Sequence, residues 1–319
     1  MATYTTSTAV GAREDLSNVI SRIDPDETPL VSNAKVETTK GIFHEWQVSE
    51  LAAAVDTNSA SEGGDFSYTN PNPTIRLGNY HQIAVQAASV SNTLDVVDKA
   101  GRDKETAYVK VTKAIEQRRD INKSMYKNEA RSASEPRKTG KLTSWITNVD
   151  FSTAGTTSAV SAGTGADAAT LSGNDRALSL ALIDNAMELA YTDGGKPSMM
   201  VVSPKNKVAF SDLSSGSAVT NQLHMTANAP QDAVIVGSVS LYLTDFGQLN
   251  VVIDRAAPNS EIYLMDPDHY SIGHLPGRMY SVSDVAPVGD ATRFAIVSEY
   301  CLIMRAPKAH GAVFDLSTS

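Results

Sequence analysis

Histidines and carboxylates are the side chains of this sequence that could bind a metal ion. The six histidines are His44, His81, His224, His269, His274 and His310. His269 and His274 are five residues apart, which matches neither a helical pair of ligands nor a zinc-binding pattern. Asp266 and Asp268 flank Pro267 just before His269, but Asp-Pro-Asp is favourable turn chemistry in its own right. We therefore predict a turn at this position and no metal ligand in the chain.

One glycine pattern, Gly163-Thr164-Gly165-Ala166-Asp167-Ala168, formally matches a dinucleotide-binding fingerprint. A functional fingerprint follows a strand and opens a helix, because the pyrophosphate lies at the helix N-terminus. Here the pattern lies in a stretch of Ala, Gly, Ser and Thr with no strand predicted before it. The sequence also contains no Gly-Lys-Ser/Thr loop and no nucleophile elbow. We predict no cofactor and no enzyme activity, although a Ser/His/Asp site built from distant residues stays open.

The composition excludes several classes of protein. The 319 residues are 41% hydrophobic and 20% charged, as in globular proteins, with room for two domains or for one domain with extensions. The net charge of -9 disfavours a dedicated nucleic-acid binder and adhesion to an anionic membrane. The first residues have neither a basic nor an apolar segment, so we expect no secretory signal. Cys301 lies in the apolar run Phe294–Met304, where a buried, inert thiol is expected.

A long polar helix is predicted from Asp103 to Arg131, where the sequence contains no Pro or Gly. At ~1.5 Å per residue it would be about 43 Å long. Its apolar residues recur at steps of three and four and form a narrow stripe: Ala107, Val111, Ala114, Ile115, Ile121 and Met125. Such a helix cannot form a core alone and must lie along a sheet or a neighbouring chain. It is typical of a structural spine rather than of a catalytic scaffold.

The other elements follow a recognisable order along the chain. A short helix is predicted at Arg13–Ile23. Residues 45–98 are predicted to form two strands joined by a long polar excursion, that is, a long polar segment without regular structure. Residues 132–173 are rich in Gly, Ala, Ser and Thr. An α/β region then begins with a helix at Asp175–Asp193, a buried strand at Met199–Val202 and a helix opened by Pro204. Further strands are predicted at Ala233–Leu243, Leu249–Asp254, Glu261–Asp266, Tyr270–Leu275, Tyr280–Val285 and Phe294–Arg305.

This order resembles the tailed-phage major capsid proteins of the Hong Kong 97 type, and their SU10-like branch in particular. Short motifs carry the resemblance: Arg13–Leu16, Pro25–Pro29, His44–Trp46, Arg76–Tyr80, Val97–Gly101, Gly194–Pro197, Val201–Pro204, Asp245–Gly247, Asp266–Asp268 and Lys308–Gly311. Each motif is short, but together they run in order from residue 13 to about residue 316.

The resemblance implies an α+β protein with the Hong Kong 97-like capsid fold. Its implied parts are an N-terminal arm (1–44), an extended E-loop (45–98), a peripheral domain (99–173) with the spine helix 103–131, an axial domain (174–290), and closing strands of the peripheral domain (291–319). Candidate contacts between subunits are Glu62, Asp65, Arg76, Tyr80, Arg118 and Arg119.

The function that the resemblance implies is a major capsid protein, which self-assembles into the hexamers and pentamers of an icosahedral phage head. The head would enclose double-stranded DNA and contact it weakly. Assembly would take place in the host cytoplasm, with portal, decoration and scaffold proteins as partners, the scaffold being a separate protein if one is used. A head-decoration or tail protein is the alternative, and an intracellular α/β enzyme is a weaker one.

Some capsids of this type link their subunits by an isopeptide bond from an E-loop lysine. No lysine lies between Gly41 and Asp98, so we predict a shell held by non-covalent contacts or by decoration proteins.

Overall fold

The computed structural model describes residues 26–65, 68, 70–153, 158–171, 174–215 and 240–317. The helix predicted at Arg13–Ile23 and most of the strand predicted at Ala233–Leu243 lie outside these residues. The helices of the described part are α1 Pro29–Asn33, α2 Asn92–Val96, α3 Glu105–Met125, α4 Leu180–Thr192 and α5 Pro204–Ser215. Its strands are β1 Lys35–Thr38, β2 Phe43–Val48, β3 Ile75–Tyr80, β4 Gln82–Ser91, β5 Asn148–Asp150, β6 Met199–Val202, β7 Leu241–Thr244, β8 Gly247–Ile253, β9 Ile262–Met265, β10 Tyr270–His274, β11 Ser281–Val285, β12 Ala291–Met304 and β13 Gly311–Val313.

The first sheet is built around the 14-residue strand β12. Strand β4 runs antiparallel along one side of β12 for ten residues. On the other side, β11 pairs with the first half of β12 and β10 pairs with the second half. Strand β1 then extends the sheet beyond β10 in a parallel pairing. The strands predicted at Tyr280–Val285 and Phe294–Arg305 are thus confirmed as β11 and β12.

Helix α3 lies on one face of β4 and β12. Gln117 joins it to both strands, because its Nε2 donates to the carbonyl oxygens of Ala84 at 2.8 Å and Ile296 at 3.0 Å. A helix of 21 residues is ~32 Å long at the usual rise, well above the average length. The predicted long helix therefore exists, and as expected it lies along a sheet.

The predicted bounds 103–131 of this helix are wrong at both ends, since α3 begins at Glu105 and ends at Met125. At the start, the Asp95 carboxylate of α2 accepts a hydrogen bond from the Thr106 amide at 3.0 Å and caps the helix. At the end, the buried Tyr126 donates its hydroxyl to Asp254 at 2.7 Å. Both helix ends are thus fixed by side chains that no local rule identifies.

The apolar stripe of α3 is buried only in its C-terminal half. Ile121 is 2% exposed and Met125 is fully buried, whereas Val111 is 61% exposed and Ala107 is exposed as well. Val111, a member of the predicted apolar stripe, therefore does not contribute to the core of the subunit. Gln117 occupies the position between the two halves and replaces an apolar contact by hydrogen bonds.

The second sheet has six strands in the order β5-β13-β9-β6-β8-β7. Helix α4 packs on its β5 and β13 side, and the buried residues Ile183, Met187, Val202 and Phe210 belong to the core that it shares with this sheet. The strand β6 and the helix opened by Pro204 are confirmed. The helix predicted at Asp175–Asp193 exists as α4, but its predicted start is wrong, since α4 begins at Leu180. The molecule thus mixes helices and sheets, in agreement with the predicted α+β class.

The two sheets exchange strands across the predicted domain boundaries at residues 173 and 290. Strands β5 and β13 lie in the second sheet, whereas β10 and β11 lie in the first. The division into peripheral and axial domains stays a prediction.

The glycine pattern at residues 163–168 folds around a buried indole. Gly165 has a φ of 73°, and a Cβ there would lie 2.4 Å from the ring of Trp145. Its amide donates to the carbonyl of Ser144 at 3.0 Å. The segment is a close-packed turn that neither follows a strand nor opens a helix, so it lacks the context of a dinucleotide site.

Candidate assembly surfaces

An extended arm lies between strands β2 and β3, which form a two-stranded sheet of their own. These strands pair antiparallel in a two-stranded ribbon, from Phe43 opposite Tyr80 to Val48 opposite Ile75. The ribbon forms the root of the arm, and residues 49–74 form the arm itself. The prediction of two strands joined by a long polar excursion is confirmed for this pair.

The root is part of the subunit core. Trp46 of β2 and Leu77 of β3 are buried, and the Trp46 ring lies 5.3 Å from that of Trp145. Gly78 allows the close approach of the two strands, because a Cβ there would lie 2.7 Å from Phe43 Cζ. The Arg131 guanidinium donates to the Gly78 carbonyl and lies 5.3 Å from the centre of the Phe43 ring. The arm therefore starts from a fixed base.

Buried polar groups complete this base. The Asn79 side chain donates to the carbonyls of Gly140 at 3.2 Å and Leu302 at 2.7 Å, and accepts from the Gly140 amide at 2.8 Å. His81 Nε2 lies 2.8 Å from Thr39 Oγ1. Burial, and to a smaller extent the nearby His44, lowers the pKa of His81 to about 4, so the ring is neutral at pH 7.

Residues 49–74, in contrast, are exposed wherever the structure describes them. Leu51 is 97% and Tyr68 is 93% exposed. The described residues of this segment form neither helix nor strand, and a turn at Ser61–Gly64 has a φ of 77° at Gly63. Between residues 41 and 75 the sequence has five acidic residues and no Lys or Arg. The arm is thus an acidic segment that the subunit itself leaves in solvent.

The six candidate contact residues do not form one cluster. Glu62 lies in the turn of the arm and Asp65 directly follows that turn, and both side chains are exposed. Arg76 and Tyr80 lie on the root, where Arg76 pairs with Glu45 at 3.1 Å and the Tyr80 ring lies 4.5 Å from that of Phe43. Both already have partners within the subunit.

Arg118 and Arg119 lie on α3, away from the arm. Arg118 Nη2 donates to Ser32 Oγ at 2.8 Å. Arg119 lines an open groove together with Glu27, Lys123 and Arg255. The structure therefore separates the candidates into an acidic arm, a paired root and a helix face of mixed charge.

The candidate chemical sites found in the sequence have structural explanations. The turn predicted at Asp266–Asp268 is confirmed, because the Asp268 amide donates to Asp266 Oδ1 at 3.0 Å. Cys301 is fully buried, as predicted, and burial raises its pKa to about 12. Within the described ranges, no group of three or more His, Cys, Asp or Glu residues could hold a metal ion. None of the helices described has the length and apolar character needed to cross a membrane.

Comparison with known proteins identifies the family. A family model described as SU10 major capsid protein matches residues 2–317. The chain belongs to the SU10 major capsid protein family. The resemblance to the SU10-like major capsid proteins, inferred from the short motifs, is thereby confirmed.

Relatives of this major capsid protein agree with the assignment. The major capsid protein of Escherichia phage Phieco32 is 30% identical over 121 residues, which cover 38% of this chain and only 34% of that relative. The Cyanophage A-1(L) capsid asymmetric unit is similar in fold, with a TM-score of 0.65, 13% identity and 98% of each chain covered. The capsid of the native GTA particle has a TM-score of 0.61, 11% identity and the same coverage. At such identities these two structures establish similarity of fold alone.

Sequence reasoning missed the buried polar residues that hold this capsid subunit together. Gln117 interrupts an apolar stripe at helical spacing between Ala114 and Ile121, and that interruption is a signal that could have found it. Lys141 is buried, and its Nζ donates to Gln82 Oε1 at 2.8 Å. Burial lowers the pKa of Lys141 to about 7. No pattern in the sequence marks Lys141, because its surroundings come from segments far apart in the chain.

Proposed function

We propose that the chain forms the closed shell of an icosahedral phage head, as hexamers and pentamers with the Hong Kong 97-like fold. The observation that carries the proposal is the contrast between the buried root and the exposed arm. An extended segment that buries almost nothing in its own subunit gains no contacts to offset the entropy lost when it is ordered. A neighbouring subunit supplies those contacts in a shell.

In this proposal the arm and its root are the E-loop. Helix α3 is the spine of a peripheral domain, which includes β4, β11 and β12. Helix α4 and the six-stranded sheet form the greater part of an axial domain that converges at the centre of each capsomer. The exchange of strands between the two sheets supports a rigid link between these domains, since each sheet needs strands from both sides of the boundary.

The shell encloses double-stranded DNA without binding it tightly. The net charge of -9 opposes strong contact with phosphates, because nonspecific DNA binding depends on clustered Lys and Arg. The chain acts as a structural protein and not as an enzyme. A portal protein, decoration proteins and a scaffold protein, where one is used, are the further partners in the virion, and assembly takes place in the host cytoplasm.

Electron microscopy and sedimentation velocity of the purified protein test the proposal. We expect closed shells or sheets of capsomers that sediment far faster than the 33.9 kDa subunit. A decoration or tail protein would instead give small oligomers or tubes. Finding only monomers across a range of protein and salt concentrations would contradict the proposed function.

A further inference from the structure

The sheet formed by β4, β12 and β11 has helix α3 on one face and an open face on the other. Side chains of a strand alternate between the two faces of its sheet. On the open face, Val85 lies opposite Val297 and Ala87 lies opposite Ala295. Val85 is 54% exposed, and Ala87 is exposed as well. Within the described chain, this side of the sheet is therefore a solvent-exposed surface of small and apolar side chains, with serines at Ser89 and Ser283.

Arg293 lies on this open face. Its cross-strand neighbours are Ser89 on β4 and Val285 on β11, and neither of them carries a charge. Arg293 is half-buried, and its Nε is buried without a hydrogen-bond partner. No salt bridge of the described residues involves it. A guanidinium in such surroundings binds a carboxylate well, because it offers several donors to both oxygens.

The arm carries the complementary groups. It has four acidic residues and no basic one, and Glu50 is already paired with Lys308 at 3.0 Å. Asp56 directly follows the apolar segment Leu51–Val55, and all six residues are exposed in the subunit. A run of apolar side chains that ends in a carboxylate matches a face of small and apolar side chains that carries the guanidinium of Arg293. The other guanidinium near this face, that of Arg278, is already paired with Glu299 at 3.0 Å. Asp56 lies eight residues beyond Val48, the last residue of β2, so at ~3.3 Å per residue it can extend up to about 26 Å from the root toward a neighbouring subunit.

We propose that the segment Leu51–Asp56 of one subunit lies on the open face of β4, β12 and β11 of a second copy, where Asp56 binds Arg293. This proposal rests on the proposed function, since it needs an assembly of copies. It assigns a receiving surface and a charge pair to the arm. The pair selects the acidic arm of another copy over an uncharged segment.

Charge reversal tests the pair. Arg293→Glu and Asp56→Lys should each raise the protein concentration needed for shell assembly by at least ~10-fold, and the double variant should restore most of the loss. Asp103→Lys is the matched control, because it makes the same charge change at an exposed aspartate outside both the arm and the receiving face, and it should leave assembly nearly unchanged. Light scattering and electron microscopy follow assembly, and thermal melting checks that each subunit is folded. If Arg293→Glu does not fold, Arg293→Gln decides the question.

The outcomes separate this inference from the proposed function. Wild-type shells together with normal assembly of Arg293→Glu or Arg293→Gln would overturn the inference and leave the proposed function intact. A double variant no better than the single variants would also overturn it. A wild-type chain that forms no shells would contradict the proposed function, and the inference would fall with it.

Discussion

Truncations at two positions of α3 test how this helix is oriented on the sheet. Ile121→Ala removes a side chain that is 2% exposed, and such a truncation costs ~2–5 kcal/mol from lost burial and the cavity left behind. Val111→Ala removes a side chain that is 61% exposed. Since Ala is the better helix former, this change should be neutral or should stabilise the unassembled subunit by less than ~1 kcal/mol.

Urea unfolding of the unassembled subunit, followed by circular dichroism at low protein concentration, measures both changes. We expect a lower midpoint for Ile121→Ala with an unchanged slope, and a midpoint close to that of the wild type for Val111→Ala. Ile121→Val should lie between them, with a cost of ~0.5–1.5 kcal/mol. Equal losses for Val111→Ala and Ile121→Ala would refute the orientation of α3, because they would require both halves of the stripe to be buried.

Three further predictions concern the arm, acid and covalent links. Replacing residues 51–73 by a short Gly/Ser linker should leave the melting temperature of the subunit nearly unchanged and abolish shells; a subunit that unfolds would show that the arm stabilises its own chain. Burial lowers the pKa of His310 from 6.5 to about 3. As the pH falls below 6.5, the unfolded chain therefore takes up a proton at this histidine and the folded chain does not. The free energy of unfolding decreases as a result from pH 6.5 down to about pH 3. His310→Asn retains a side-chain acceptor for the Asp266 amide. This variant should reduce the loss of unfolding free energy by ~1.4 kcal/mol per pH unit between pH 5.5 and 4.5. Equal pH dependence of the unfolding free energy in the variant and the wild type would contradict the prediction. Boiled and reduced particles should run as one band near 33.9 kDa, and a ladder of multimers would disprove a non-covalent shell.

Local signals in the sequence predicted the elements that depend on local interactions. Pro204 marks the start of α5, because proline at the first helical position lacks only an amide that has no helical partner. Gly194 stops α4 with a φ of 89°, a conformation that glycine adopts readily. The apolar run Phe294–Met304 predicted most of β12. Each of these signals acts within a few residues, so one sequence is enough to detect it.

Long-range contacts decided what the sequence could not predict. The C-terminal end of α3 is set by Tyr126, whose partner Asp254 lies 128 residues away. The two partners of Gln117, Ala84 and Ile296, lie 33 and 179 residues away. The same holds for the candidate site, since the open face of the sheet exists only after β4 and β11 flank β12. The acidic character of the arm was visible in the sequence, but its receiving surface was not.

The buried root and the exposed arm together explain how one chain can be stable alone and still require copies of itself. The root is ordered before assembly by Trp46, Asn79 and Arg131, so binding of the arm does not have to pay for the ordering of its base. In the proposed shell, the cost of ordering falls on the arm beyond this base. A rigid origin would restrict where the arm can bind on a second copy. Under the proposed function such contacts would repeat at every subunit, so the stability of the shell would arise from the number of copies rather than from any one interface.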